Sequence, residues 1–125
     1  MRELKFRAWD NLEKRMRKVV SLHWQGDKLV SAKLEGENEP IPIEGRLVIE
    51  QYTGYEAEAC EPVYEGDIIT LYDNQFYEDL GVGVAKGSRY LMVDKDGKYM
   101  DIDMSRDLST ILGSIHENPE LLEEK

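Results

Sequence analysis

The chain has 125 residues, of which 41% are hydrophobic and 34% are charged, and its formal net charge is −10. This length suits one domain, or one compact domain with a smaller appendage, and the composition is not that of a disordered chain. No apolar run approaches the ~20 residues of a membrane helix, and Met1–Asp10 lacks the apolar segment of a secretory signal, so we expect a cytoplasmic protein that does not enter a membrane.

The negative charge is concentrated in the second part of the chain. Residues 1–50 contain ten Lys or Arg and nine Asp or Glu, whereas residues 51–125 contain six against seventeen, a net of −11. Such an acidic surface repels DNA, RNA and anionic lipid. Direct nucleic-acid binding is therefore disfavoured, and the basic first eighteen residues are the local exception.

The first fifty residues predict a region of β-strands. "LKFRAWD" alternates apolar and polar residues with period two, which is typical of a half-buried strand. "MRKVVSLHW" predicts a second strand that pairs with the first, and its period places five residues on one face: Met16, Lys18, Val20, Leu22 and Trp24. "LVSAKL" predicts a third strand. The acidic, proline-containing segment Glu35–Gly45 predicts a surface connection and is the best candidate for a domain boundary.

The second part predicts several further short strands. "RLVIEQYTG", "DIITLYD", "GVGVAKGSRYLMV", "KYMDIDM" and "TILGSIH" are strand-like, while "YEAEACEP" is a polar excursion. Asp96 and Gly97 predict a tight hairpin, because Asp-Gly tolerates positive φ. Asn118 as N-cap and Pro119 at the first helical position predict a short C-terminal helical turn. The spacing favours a small barrel or sandwich.

The stretch "VYEGDIITLYD" places two carboxylates, Glu65 and Asp67, around a glycine. We interpret it as a turn that begins a strand rather than as a catalytic pair. Gly66 supplies the backbone freedom, both carboxylates are expected to be solvated, and Asp67 is placed to cap local N–H groups.

A calcium loop at "DKDG" is disfavoured. With Gly97 at the invariant glycine position, Asp94 and Asp96 fit the third and fifth ligand positions. Met92 would then be the first ligand, and Asp103 would replace the bidentate Glu. A hairpin turn is the better interpretation.

The remaining chemical signals are equally weak. His23, His116 and Cys60 are far apart in sequence, so a zinc site is disfavoured, and acidic neighbours raise the pKa of a thiol such as Cys60. "GVGVAKG" matches neither a dinucleotide nor a phosphate loop. We therefore predict no catalytic residue, no metal site and no cofactor.

Two sets of residues are candidate binding surfaces. An aromatic set is concentrated in one segment and could stack on a peptide partner in a groove, or else pack inside a barrel: Tyr52, Tyr55, Tyr64, Tyr72, Phe76 and Tyr77. An alternative set of cations could contact nucleic-acid phosphates, with Trp9 or Trp24 stacking on bases: Arg7, Arg15, Arg17 and Lys18.

Four motifs in order resemble the YopX-like family of phage and prophage proteins. They are "RELKFRAWD", "QYTG", "YEGDII" and "GSIHENPELL", and together they span nearly the whole chain. The resemblance implies a β region over residues 1–50, an SH3-like barrel over 51–125 with a one-turn helix at "SRDLS", and no catalytic residues. The segment "YEAEACEPV" departs from the Lys, Asp, Asn and Gly-rich turn of the family, so it favours neither a tight hairpin nor contact through a basic loop.

These observations predict a mostly-β, non-enzymatic phage or prophage protein of the host cytoplasm. It would act by binding a protein partner, such as a host protein, as an accessory or host-takeover factor. Two alternatives stay open: a nucleic-acid module that uses the basic first hairpin, and a structural protein that self-assembles into a homo-oligomer through an edge strand such as "LVIEQYTG".

Overall fold

The computed structural model describes residues 4–73, 78–86, 91–94, 96–101 and 107–122, and antiparallel strands dominate them. The strands are β1 (Phe6–Asp10), β2 (Arg15–Gln25), β3 (Lys28–Leu34), β4 (Ile41–Pro42), β5 (Leu47–Ala57), β6 (Glu61–Tyr64), β7 (Asp67–Asp73), β8 (Glu78–Ala85), β9 (Leu91–Asp94), β10 (Tyr99–Asp101) and β11 (Asp107–Ser114). Two short 3₁₀ turns cover Glu58–Cys60 and Pro119–Leu122. The predicted mostly-β class is confirmed. No helix in the described ranges is long and apolar enough to cross a membrane.

The first compact unit is Leu4–Gln51. Its strands follow the order β4-β3-β2-β1-β5, and each neighbouring pair is antiparallel. One apolar cluster holds the unit together: Ala8, Ala32, Leu34, Ile41 and Leu47. Glu35–Gly45 lies inside this unit, and β4 within it pairs with β3, so the expectation of a boundary there is wrong.

The predicted face of β2 is also wrong. Val20 and Trp24 are 59% and 61% exposed, whereas Val19 and Leu22 pack against the apolar cluster. A register shift between Val19 and Ser21 adds one residue, Val20, to β2 against β3, so the alternation along β2 reverses there. A second shift, between His23 and Trp24, adds its extra residue to β3 and leaves the alternation along β2 unchanged.

The second compact unit begins at Tyr52. Within it the rest of β5 pairs with β6, and a five-stranded sheet has the order β10-β9-β8-β7-β11. Its apolar cluster contains Tyr55, Ala57, Val63, Ile69, Leu71 and Ala85. The strand pairings of the described residues leave β10 and β11 at sheet edges and close no barrel, so the SH3-like barrel stays a prediction.

The C-terminal predictions have mixed outcomes. Asp96 and Gly97 lie between the paired strands β9 and β10, and Gly97 has φ 83°, as the hairpin required. Pro119 begins a short helical turn as predicted, although the turn is 3₁₀. The predicted one-turn helix at "SRDLS" is wrong for its last three residues, which belong to β11; the first two lie outside the described residues.

A tight turn joins β5 to β6 despite its unfavourable sequence. Ala59 and Cys60 have φ of 63° and 59°, and Ala57 pairs with Glu61 on either side of the turn. Two successive residues with positive φ match the hairpin turns that favour Asn and Gly. "YEAEACEP" is therefore not a polar excursion but the end of β5, this turn and the start of β6.

The "YEGD" turn connects β6 to β7. Gly66 has φ 91°, its amide donates to the Ala85 carbonyl at 3.1 Å, and its carbonyl accepts from the Ile115 amide at 2.9 Å. Asp67 accepts from the Tyr64 amide at 2.8 Å, which confirms the predicted cap. Asp67 is only 3% exposed, so the expectation that it is solvated is wrong.

We expect Gly66→Val to lower the free energy of unfolding by about 2 kcal/mol, because a β-branched residue is strained at positive φ. Urea denaturation followed by circular dichroism measures the change. Glu65→Gln, at the neighbouring position of the same turn, is the control and should leave stability nearly unchanged. Equal stability of Gly66→Val and the wild type would contradict the strained-turn interpretation.

We expect Ala59→Asn to raise the free energy of unfolding by up to about 1 kcal/mol, because Asn tolerates the left-handed region better than Ala. Glu58→Asn serves as the control, since Glu58 is exposed in the same turn and is not among the residues with positive φ. A thermal melt that ranks Glu58→Asn above Ala59→Asn would argue against this turn.

Candidate functional site

Asp10 is a completely buried carboxylate at the end of β1. Its Oδ1 accepts the amide hydrogens of Leu12 at 2.9 Å and Glu13 at 3.2 Å, which fixes the turn between β1 and β2. Arg46 donates from Nε to Oδ1 at 3.0 Å and from Nη2 to Oδ2 at 2.9 Å. This paired contact holds the start of β5 against the end of β1.

Arg17 is the second buried member of this cluster. Its side chain is 4% exposed, and it donates from Nη1 to Asp10 at 3.2 Å and from Nη2 to Glu37 at 2.9 Å. Glu13 lies 3.6 Å from both Arg17 and Arg46. We call these five residues the Asp10 cluster: Asp10, Glu13, Arg17, Glu37 and Arg46.

The cluster shifts the pKa of Asp10 and of Arg17. The hydrogen bonds from Arg46 hold the pKa of Asp10 well below its usual range, against the opposing effect of burial. Burial acts to lower the pKa of Arg17, but hydrogen bonds to Glu37 and Asp10 outweigh it and raise that pKa. Asp10 and Arg17 are therefore held in their charged forms at neutral pH, and the cluster is a structural ion network.

The other predicted nucleic-acid contacts are paired with carboxylates as well. Arg7 binds Glu50 at 2.9 Å, Arg15 binds Glu13 at 2.7 Å, and Lys18 lies 3.7 Å from Glu35. A phosphate would have to compete with a carboxylate at each cation, and the guanidinium of Arg17 is buried. Trp9 is 7% exposed, and its Nε1 donates to Asn11. The geometry thus offers little support to phosphate binding by this set.

The aromatic set does not form one exposed surface. Tyr52 and Tyr55 are 8% and 3% exposed, and burial raises the pKa of Tyr55. Tyr52 and Tyr64 pack with ring centroids 5.8 Å apart and planes tilted by 52°. Tyr72 is 38% exposed. Phe76 and Tyr77 lie outside the described residues.

Trp24 is a strongly exposed aromatic residue near the end of the β2–β3 hairpin. Trp24 is 61% exposed and lies directly opposite Leu29, while Gln25 lies opposite Lys28. Residues opposite each other in an antiparallel pair share a face of the sheet, so Trp24 and Leu29 form an apolar pair. We call residues 24–29, which include the exposed turn residue Asp27, the hairpin tip.

The predicted metal and nucleophile candidates are not brought together. His23 Nε2 lies 3.0 Å from Ser21 Oγ, His116 follows β11, and Cys60 is exposed in the β5–β6 turn. Within the described ranges there is no group of three or more His, Cys, Asp or Glu residues that could hold a metal ion.

A family model described as YopX protein matches residues 5–123. The chain belongs to the YopX family. Among solved structures, it is similar to the crystal structure of protein EF1440 from Enterococcus faecalis, with a TM-score of 0.67 and 25% identity. That match covers 98% of this chain and 100% of the other. A search of curated proteins finds no match.

Two motifs that carry the resemblance to YopX proteins have structural roles in this member. "RELKFRAWD" ends at Asp10, the centre of the buried ion cluster. In "GSIHENPELL", Ser114 Oγ accepts from the Glu117 amide at 3.1 Å, and Asn118 Oδ1 accepts from the Ser114 amide at 3.4 Å. A Cβ on Gly113 would lie 2.7 Å from Asn118 Cγ, so the turn needs a glycine there.

Sequence reasoning missed the Asp10 cluster and the exposure of Trp24. Arg46 is 36 residues from Asp10 in sequence, and no local pattern pairs them. One signal was available for Asp10 itself, because an Asp followed by a short turn often accepts the backbone amides two and three residues on. For the exposure of Trp24 there was none, since period two places Trp24 on the same side of β2 as Leu22, which packs against the apolar cluster.

We expect Asp10→Asn to lower the free energy of unfolding by about 3 kcal/mol at neutral pH, because it removes the buried carboxylate that Arg17 and Arg46 share and leaves Arg17 with Glu37 and the more distant Glu13. The pH dependence should change too. The folded state holds the pKa of Asp10 below its ordinary value of 3.8, so the stability due to this group is complete above about pH 5 and is lost as the pH falls below about 4. Urea unfolding between about pH 5 and pH 2 should therefore show a smaller loss of stability in Asp10→Asn than in the wild type.

Glu44→Gln is the matched control, since Glu44 is exposed in the same unit and its substitution also removes one carboxylate. It should keep the wild-type stability and the wild-type dependence on pH. Identical pH profiles for Asp10→Asn and the wild type would refute a charged Asp10 at the centre of the cluster.

Proposed function

We propose that this YopX protein is a non-enzymatic protein of a phage or prophage that acts in the host cytoplasm by binding another protein, as an accessory or host-takeover factor. Family membership supports the phage origin. The observation that carries the binding role is the exposed Trp24 at the hairpin tip.

Trp24 is unusual for its position. The first unit buries its other indole, that of Trp9, to 7% exposure, yet it leaves 61% of Trp24 in contact with water. Leaving 61% of an indole in water, opposite the half-buried Leu29, forgoes apolar burial that the core could have used. Tryptophan is also enriched among the residues that dominate the energy of protein interfaces. A protein partner that covers the hairpin tip would recover this energy.

The charges around the tip agree with a protein partner. The cations predicted to contact phosphates are bound to carboxylates, so the tip lacks the run of available cations that draws affinity from nucleic acid. The exposed Asp27 and Lys28 bring one charge of each sign to the turn that follows Trp24 and Gln25. An apolar anchor with few charges at its rim is the usual composition of a protein interface.

We also propose that the second unit is an SH3-like barrel. The family resemblance and a five-stranded antiparallel sheet whose β7 starts at the end of "YEGD" support it. In this arrangement the second unit is a scaffold, because the aromatic residues predicted to line a groove, Tyr52 and Tyr55, are buried.

We expect Trp24→Ala to abolish capture of the partner from host lysate while leaving the fold intact, because truncating a central interface tryptophan costs about 2 kcal/mol or more. The tagged protein is incubated with lysate, and the bound proteins are compared by mass spectrometry. Loss of the same protein bands in the variant, with unchanged thermal unfolding, is the expected result.

Leu12→Ala is the matched control, since Leu12 is 71% exposed in the β1–β2 turn of the same unit. It should capture the same proteins as the wild type. If Trp24→Ala and Leu12→Ala retained identical partners, the hairpin tip would not be the binding surface. Capture that disappears on nuclease treatment would instead support the nucleic-acid alternative.

A further inference from the structure

We propose that Asp96 is a site of spontaneous covalent modification, where the peptide bond to Gly97 moves from the α-carboxyl of Asp96 to its side-chain carboxyl and leaves an isoaspartate. The chain contains one Asp-Gly step and no Asn-Gly step, so this chemistry has one favoured position in the sequence. The site lies in the second unit and does not depend on the proposed role of the hairpin tip.

The reaction needs no reactant other than water. The backbone nitrogen of Gly97 attacks Cγ of Asp96, a new C–N bond closes a five-membered succinimide, and the side-chain hydroxyl leaves with the amide hydrogen as water. Water then adds to one of the two ring carbonyls. Opening at the α-carbonyl gives isoaspartate, whereas opening at Cγ restores aspartate. One water leaves and one enters, no electron is transferred, and the product keeps the mass and the charge of the original chain.

The first argument is the residue that follows Asp96. A side chain at that position crowds the attacking nitrogen, and glycine has no Cβ. Gly97 has φ 83°, a conformation that residues with a side chain rarely adopt, so the turn itself favours glycine at the attacking position. A Cβ built on Gly97 would meet no described atom within 4 Å apart from its chain neighbours. The space around the reacting peptide bond is therefore open.

The second argument is the place of this step in the fold. Asp96 and Gly97 are both exposed, so water reaches the succinimide on either side. They lie between β9 and β10, and the pairing of these strands begins where Tyr99 lies opposite Val93. The reacting peptide bond is thus outside the strand register, in a turn whose backbone has more freedom than the sheet.

Asp27 provides a comparison within the same chain. It is also exposed in a hairpin turn, between β2 and β3. The next residue, Lys28, has a side chain and already belongs to β3, where it pairs with Gln25. The attacking nitrogen at that turn is crowded and forms part of a strand. We therefore expect isoaspartate at Asp96 and none at Asp27.

The modification lengthens the connection between β9 and β10. In isoaspartate the main chain passes through Cβ, which adds one carbon to the backbone and leaves the α-carboxylate as the side group. β10 has three residues and lies at an edge of its sheet, where it pairs with β9. An added carbon beside so short a strand disturbs its register, so we expect the pairing of β10 to weaken. The edge predicted at "LVIEQYTG" is wrong, because β5 lies between β1 and β6.

Ageing of the purified full chain is the test. The folded protein is kept at physiological temperature and pH in heavy-oxygen water, returned to ordinary water and digested with chymotrypsin. Electron-transfer fragmentation then distinguishes isoaspartate from aspartate by diagnostic ions. We expect isoaspartate and one heavy oxygen atom to accumulate at Asp96, and neither to accumulate at Asp27. Amide hydrogen exchange of Tyr99–Asp101 should become faster as isoaspartate accumulates.

Two variants separate the chemistry from the fold. Gly97→Ala places a Cβ beside the attacking nitrogen and should lose most of the isoaspartate signal at Asp96. Alanine is strained at this positive φ, so thermal unfolding checks that the variant is folded. Asp96→Glu keeps Gly97 and the charge, but its longer side chain would have to close a six-membered ring. It should take up no heavy oxygen at that position.

The result at Asp96 in the folded wild-type chain decides the inference. Absence of isoaspartate there, equal accumulation at Asp27, or accumulation only after the chain is unfolded in urea would each overturn it. Equal accumulation in a folded Gly97→Ala would overturn it as well. Unchanged hydrogen exchange of Tyr99–Asp101 in the modified chain would overturn the predicted effect on β10.

Discussion

The burial of one negative charge, that of Asp10, governs the first unit. Removing a carboxylate from water costs several kcal/mol, and the cost is offset only when donors surround it with good geometry. Asp10 has five such bonds, two from backbone amides and three from Arg46 and Arg17. These donors come from the β1–β2 turn, from β2 and from the residue before β5. Three separate parts of the chain must be in place together for the charge to be tolerated.

Sequence pattern predicted the strands well and their faces poorly. Period-two alternation located β1, β2 and β3, because it reflects one buried side of a sheet. It failed on β2 because the extra residue between Val19 and Ser21 reverses the alternation against β3, and a bulge leaves no signature in composition. The turn at Ala59 and Cys60 escaped prediction for a related reason: the pairing of β5 with β6 imposes positive φ on residues that do not prefer it.

The sequence predicted which residue types could form a binding site, but not which of those side chains are buried and which are exposed. The basic first hairpin and the aromatic residues were both visible in the sequence, but burial assigned them other roles. Arg17 is buried because Asp10 and Glu37 pair with its charge. Tyr55 is buried because its ring is part of the apolar cluster of the second unit. Trp24, predicted to share one face of β2 with four other residues and to stack on bases in the nucleic-acid alternative, is exposed. A sequence lists which side chains are available for binding, but only packing decides which of them stay available.

The "YEGD" turn also constrains the order in which the second unit can be completed during synthesis. Gly66 is bonded through its amide to Ala85 and through its carbonyl to Ile115, so the turn depends on residues made 19 and 49 positions later. On the ribosome, β6 and β7 emerge well before the segment that secures the turn between them. The first unit, by contrast, has all the members of its ion cluster once Arg46 has emerged. During translation the first unit can therefore fold early, whereas the second unit can be completed only after nearly the whole chain has been synthesised.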